Sequence, residues 1–131
     1  GFGGGGGASS DTGVSSSERK ITKEGYLEKE GEGRRLKQYK RRYFKLYKDT
    51  AYPDGNILEY YTKRGGNLKG HLDLTRFYGV EIRQDHRKWK IILKGKEHVD
   101  PPQTDRVLFS ESSIVAEEWA EYINSSILST M

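Results

Sequence analysis

The stretch Lys37-Gln38-Tyr39-Lys40-Arg41-Arg42-Tyr43-Phe44-Lys45-Leu46-Tyr47 decides how the rest of the chain is interpreted, because it interleaves five cations with aromatic and aliphatic side chains. It contains no Gly, Pro or Asp and is rich in Tyr and Phe, which predicts a β-strand. Alternation along a pleat divides the strand into two faces, and one face comprises Lys40, Arg42, Phe44 and Leu46. The other comprises Tyr39, Arg41, Tyr43, Lys45 and Tyr47. The first face begins with two cations and ends with two core-type side chains. We therefore expect a strand that enters a hydrophobic core with its charged end at the rim, where two cations can bind an anion of several charges.

Composition limits the function further. The 131 residues suit one domain of about 100 residues with tails, and the net charge of +4 is unevenly spread. Lys29 to Lys48 holds nine basic residues and two glutamates, a net +7, which leaves −3 for the remainder. Such a segment predicts a polyanionic partner: an anionic membrane, a nucleic acid or an acidic protein. The chain has no cysteine, which excludes disulfides and Cys-based zinc sites and fits a cytoplasmic protein. No apolar run is as long as a membrane span, so we expect any membrane contact to be peripheral.

The sequence also predicts the order of the strands and the helix along the chain. Strand-type patterns bounded by Gly, Pro, Asn and Asp occur at residues 23–29, about 36–47, 57–62, 69–74, 80–83, 89–93 and 106–110. Ser112 or Ser113 can then cap a helix, with Glu117 and Glu118 in its early turns. The helical stripe comprises Val115, Trp119, Tyr122, Ile123, Ser126 and Ile127. We expect a small sandwich or barrel followed by one amphipathic helix, with a disordered Gly/Ser-rich tail at 1–20, a domain at 21–127 and a short tail at 128–131.

This order resembles the pleckstrin homology (PH) domain family over roughly Thr22 to Ser126. The residues that carry the resemblance are Glu24-Gly25-Tyr26-Leu27, the segment from Tyr39 to Leu46, Leu58-Glu59-Tyr60-Tyr61 and the helical Trp119. The resemblance implies a mainly β fold, a PH-like barrel of seven antiparallel strands in two near-orthogonal sheets, capped by one C-terminal α-helix that Trp119 anchors. The strand at Leu58 is similar in particular to PH domains of docking and adaptor proteins.

PH domains that recognise 3-phosphorylated phosphoinositides share a Lys late in the first strand, a Lys or Arg and an Arg two apart in the second, and a Tyr in the third. The resemblance places these roles on Lys29, Lys40, Arg42 and Tyr60. Each lies an even number of residues from a core candidate, so pleat alternation also predicts that each shares a face with a core residue. The implied ligand is an inositol phosphate headgroup such as that of phosphatidylinositol (3,4,5)-trisphosphate. Arg42 would offer a planar fork to a phosphate, the lysines point charges, and Tyr60 a hydroxyl donor.

The cationic loop between the first two strands has an implied role as well. Arg34, Arg35 and Lys37 would face an anionic membrane surface, where each adds about 1 kcal/mol of attraction. Glu30 and Glu32 place negative charge in the same loop. They favour an alternative, a protein-interaction PH module with weak or no lipid specificity.

Other functions find less support in the sequence. Small barrels with basic and aromatic strands also bind single-stranded nucleic acid, but no platform of several exposed aromatic residues is evident here. His71, His86 and His98 lie far apart and no grouping of Ser, His and Asp has a catalytic context, so we expect neither a metal nor a cofactor nor an enzyme. We expect a signalling module that is monomeric as an isolated domain, cytoplasmic, and recruited peripherally to the plasma membrane.

Overall fold

A computed structural model describes residues 19–30, 38–49 and 56–131. Within these ranges the chain forms seven antiparallel β-strands, one short 3-10 helix and one α-helix. The strands are β1 (Arg19–Glu30), β2 (Tyr39–Asp49), β3 (Ile57–Tyr61), β4 (Leu68–Asp73), β5 (Phe77–Asp85), β6 (Lys88–Gly95) and β7 (Arg106–Ser110). The 3-10 helix spans Leu74–Arg76 and the α-helix, α1, spans Ser113–Leu128. The predicted architecture is therefore confirmed, with β1, β2, β5 and β6 longer at one or both ends than their sequence patterns indicated.

The strands are hydrogen-bonded in the order β4-β3-β2-β1-β7-β6-β5. β1 pairs with β2 along its whole length but with β7 at just two positions among the described residues, Glu28 opposite Phe109 and Lys29 opposite Leu108. The two expected sheets are thus joined into one hydrogen-bonded sheet through the end of β1. This junction lies beside the charged end of β2, so the cationic residues occupy the place where the two halves of the sheet meet.

The core lies against one face of the sheet and is closed by α1. Phe44, Leu46 and Leu58 are almost fully buried on that face, and Trp119 of α1 is 2% exposed. The Trp119 ring lies edge-on to Phe44, with centroids 6.4 Å apart. Gly25 lies next to the same ring, since a Cβ there would be 3.7 Å from Trp119 Cζ2. Trp119 is the anchor of the helix, as the resemblance implied.

The buried stripe of α1 differs from the predicted one. Ser112 is the N-cap, and its hydroxyl accepts a hydrogen bond from the Val115 amide. The buried helical residues are Ala116, Trp119, Ala120, Ile123 and Ile127. Tyr122 was expected on this stripe but is 43% exposed, because two alanines let the helix approach the sheet along an adjacent line of residues. Glu117 and Glu118 lie beyond the first turn, so the expected stabilisation by the helix dipole does not extend to them.

Asn56 secures the far end of the helix. It is 1% exposed, and its Nδ2 donates to the Ser126 carbonyl at 3.1 Å and to Ser129 Oγ at 2.8 Å. Its backbone carbonyl accepts from the Leu74 amide at 3.4 Å. One buried residue therefore connects the start of β3, the last turn of α1 and the turn after β4.

Candidate functional site

The end of the β1–β2 ladder carries three of the four predicted ligand residues. Lys29 lies opposite Lys40, and Arg42 lies opposite Leu27, which is 2% exposed. Directly opposed residues of antiparallel strands project to the same side of a sheet. Lys29, Lys40 and Arg42 therefore share the core face, as the alternation predicted. Lys40 is exposed while Lys29 and Arg42 are half-buried, which places the cations at the rim of the core.

Tyr60 reaches the same place from β3. It lies opposite Phe44 of β2, and the two rings pack with their centroids 5.4 Å apart. Lys29 Nζ lies 5.0 Å from the centroid of the Tyr60 ring, a cation–π distance. The structure thus brings Lys29 and Tyr60 into contact, with Lys40 and Arg42 at neighbouring positions of the same face.

The electrostatics of this face favour an anion. Lys29 and Lys40 are direct cross-strand neighbours, and like charges directly opposite each other destabilise a ladder. Arg42 makes one long contact, from Nη1 to the Arg41 carbonyl at 3.4 Å. In the described part of the chain, no carboxylate lies within ion-pair distance of Lys40 or Arg42. A multivalent anion between these cations would relieve the repulsion and could accept hydrogen bonds from Lys40 and Arg42.

The opposite face of the same strands is built differently. The Arg41 guanidinium lies 3.9 Å from the centroid of the Tyr26 ring, and Tyr26 packs edge-on against Tyr43. The Tyr43 hydroxyl donates to Glu24 at 2.5 Å, and this bond, with burial, raises the pKa of Tyr43. Arg41 therefore belongs to an aromatic cluster on the outer face, away from Lys40 and Arg42.

Lys88, the first residue of β6, interacts with acidic side chains. Its Nζ donates to Glu28, lies 3.9 Å from Glu111 Oε2 and 5.1 Å from the centroid of the Tyr39 ring. The hydrogen bond to Glu28 raises the pKa of Lys88. We therefore leave Lys88 out of the candidate site.

The remaining predicted residues divide into two groups. Glu30 ends β1 opposite Tyr39 and is exposed. The proposed membrane-facing residues and the second loop glutamate lie outside the described residues: Arg34, Arg35, Lys37 and Glu32. Their roles stay predictions.

The described residues contain neither a metal-binding cluster nor a membrane-spanning helix. No three side chains of His, Cys, Asp or Glu are grouped so that they could hold a metal ion. No helix in the described ranges combines the length and the apolar character needed to cross a bilayer.

The chain is a small antiparallel β domain closed by a C-terminal helix. Its cations lie on the core face at one end of the β1–β2 hairpin, which forms a positively charged rim. Comparison with family models gives a match to the PH domain over residues 21–128. The chain therefore belongs to the PH domain family, whose members are binding modules. Comparison with curated proteins gives no match.

Solved structures of the same family resemble the chain throughout the domain. The C-terminal PH domain of pleckstrin in complex with D-myo-Ins(1,2,3,4,5)P5 is 25% identical, with a TM-score of 0.56 over 82% of this chain and 98% of that one. The same domain in complex with D-myo-Ins(1,2,3,5,6)P5 is 25% identical, with a TM-score of 0.58 over 82% of this chain and 96% of that one. The C-terminal PH domain of human pleckstrin, at 22% identity, has a TM-score of 0.54 over 85% of this chain and 91% of that one. The chain is thus structurally like PH domains that bind inositol phosphates, whereas the docking or adaptor subtype stays a prediction.

Proposed function

We propose that the chain is a phosphoinositide-binding module that recruits its parent protein to a membrane. The observation that carries this proposal is the grouping of Lys29, Lys40 and Arg42 with Tyr60 on one face at the rim of the core. One related PH domain, solved in complex with two different inositol pentakisphosphates, supports the ligand class. The domain acts by binding alone, without catalysis or a cofactor, and works peripherally at the cytoplasmic surface of the plasma membrane.

Each side chain has a distinct part in the proposed binding. Arg42 presents two parallel N–H donors to one phosphate, and its half-buried stem limits the orientations of that fork. Lys29 and Lys40, which face each other across the ladder, share the charge of adjacent phosphates. The Tyr60 hydroxyl donates to a ring phosphate, and its ring holds the Lys29 ammonium in place. We propose a 3-phosphorylated headgroup, that of phosphatidylinositol (3,4,5)-trisphosphate, with Arg34, Arg35 and Lys37 facing the lipid surface.

The test is vesicle co-sedimentation at physiological salt with neutral lipid, phosphatidylserine and each phosphoinositide in turn. We compare the wild type with Lys40→Ala/Arg42→Ala and with a matched control, Arg41→Ala/Lys45→Ala. Both double variants remove one lysine and one arginine from β2, but the control removes them from the outer face, where Lys45 lies over the Tyr61 ring. Net charge is therefore equal in the two variants.

Selective binding that is lost in Lys40→Ala/Arg42→Ala and kept in the control would support a stereospecific pocket on the core face. Equal loss in both variants would show that binding follows total charge and would overturn the proposal. No binding of the wild type to any vesicle would also overturn it and would favour the alternative, a PH module that binds a protein.

A further inference from the structure

Gly70 lies beneath the Tyr60 side chain in the adjacent strand. The two residues are direct partners in the β3–β4 ladder, next to a register irregularity between Tyr60 and Tyr61. A Cβ built on Gly70 would lie 2.7 Å from Tyr60 Cζ and closer still to the hydroxyl oxygen. Carbon atoms in ordinary contact are about 3.5–4.0 Å apart. The Tyr60 phenol therefore occupies space that the Cβ of any other residue at position 70 would fill.

Tyr60 is held from two further sides. Phe44 packs against its ring with centroids 5.4 Å apart, and Lys29 Nζ lies 5.0 Å from the ring centroid. The Tyr60 phenol thus lies between the Gly70 backbone and the Lys29 ammonium. If the ring moves, the Tyr60 hydroxyl moves with it, and so does the ring face on which the Lys29 ammonium rests.

We infer that Gly70 is a positioning residue for the anion site: its missing side chain sets where the Tyr60 hydroxyl and the Lys29 ammonium stand. This inference rests on the proposed function, because it assigns both groups to the headgroup. Glycine within a strand weakens the strand and commonly marks a close approach by another group, which here is the Tyr60 phenol.

Gly70 affects the position of the Tyr60 ring more than it affects the stability of the fold. The atoms in conflict are at the far end of a half-buried side chain, so the phenol can swing toward solvent when a methyl group is added. It must move by about 1 Å or more to restore ordinary contact. A displacement of that size breaks a hydrogen bond to a phosphate, and loss of a hydrogen bond to a charged group lowers affinity about tenfold or more.

The experiment measures calorimetric binding of D-myo-Ins(1,2,3,4,5)P5 to the full chain, with urea denaturation of the same samples. Gly70→Ala is compared with Gly79→Ala, a matched control in strand β5, where an added Cβ meets no atom within 4 Å. We expect Gly70→Ala to weaken binding about tenfold or more, Gly79→Ala to bind as the wild type does, and the two variants to unfold at similar urea concentrations.

A double-mutant cycle separates positioning from a general effect on β4. Tyr60→Ala removes the phenol, so Gly70→Ala should cause no further loss of affinity when it is added to that variant. Losses that add would overturn the inference. So would a Gly70→Ala variant that binds as tightly as Gly79→Ala while the wild type binds. A wild type that binds no inositol phosphate would instead overturn the proposed function, and this inference with it.

Discussion

Asn56 is buried between β3 and the last turn of α1, and replacing it tests how the helix is held to the sheet. Asn56→Asp keeps the size and shape of the side chain but replaces the Nδ2 donor, which serves the Ser126 carbonyl and Ser129 Oγ, with an acceptor. Each lost hydrogen bond costs about 1 kcal/mol, and a buried carboxylate oxygen left facing the Ser126 carbonyl without a donor costs about 1–3 kcal/mol more. The Ser126 carbonyl itself still accepts from Ser129 Oγ at 2.8 Å. Water can replace part of the bond to Ser129, which is exposed. We therefore expect the free energy of unfolding to fall by about 2–4 kcal/mol near neutral pH.

The loss should depend on pH, and its sign follows from burial. Burial raises the pKa of the introduced carboxyl above its unfolded value of about 3.9. Below the unfolded value the group is protonated in both states and donates a hydrogen bond again, so the loss is smallest there. As the pH rises through the folded-state pKa, the loss grows to its full value.

Urea denaturation followed by circular dichroism at about pH 4 and about pH 7 measures both effects. Asn67→Asp is the matched control, since Asn67 is exposed and its side chain has no buried acceptor to serve. A loss in Asn56→Asp that equals the control, or one that stays the same at the two pH values, would refute the reasoning from the buried amide.

Two further predictions concern the outer face and the core. Glu24→Gln should lower the raised pKa of Tyr43, because the hydrogen bond and charge of Glu24 keep that phenol neutral; NMR titration of the tyrosine ring carbons measures it. Since the folded-state pKa is raised, the Tyr43 contribution to stability is complete below about pH 10 and is lost as the pH rises further. Glu24→Gln should make that loss smaller without abolishing it, because burial still raises the pKa of Tyr43. Trp119→Ala should lower the free energy of unfolding by about 3–5 kcal/mol, because the ring is 2% exposed and packs on Phe44. Urea denaturation measures it, and a loss below about 1 kcal/mol would contradict the anchoring role.

The cations on the core face lie on a closely packed part of the sheet. Lys29 and Lys40 face each other across a ladder in which the neighbouring residues Leu27 and Phe44 are buried. The core therefore positions the proposed site, and we expect anion binding there to leave the strands in place.

The helix shows where periodicity alone fails. Capping chemistry predicted the start of the helix at Ser112 or Ser113, and apolar spacing predicted the burial of Trp119, Ile123 and Ile127; these agree with the structure. The buried line also includes Ala116 and Ala120, which patterns of large apolar side chains pass over, and it leaves out Tyr122. Alanine fits where the helix packs close to the sheet. The distance between helix and sheet depends on the packing of the whole core, so local sequence patterns do not reveal it.

Local sequence features were enough to predict the order of the elements and the face on which each cation of β2 projects. Both follow from local rules: β-propensity, turn residues and the two-residue period of a pleat act within a few residues of each other. Lys40 and Arg42 could therefore be assigned to the core face, and Arg41 to the other face, before any strand was paired.

The contacts between distant residues follow from the folded molecule and could not be predicted from the sequence. The contact of Lys29 with Tyr60, the space above Gly70 that the Tyr60 phenol fills, and the bonds from Asn56 to the end of α1 all join segments far apart in the chain. Such contacts depend on the register between strands and on the depth at which the helix packs. Register and packing depth are set by the whole core at once, and no short stretch of sequence contains them.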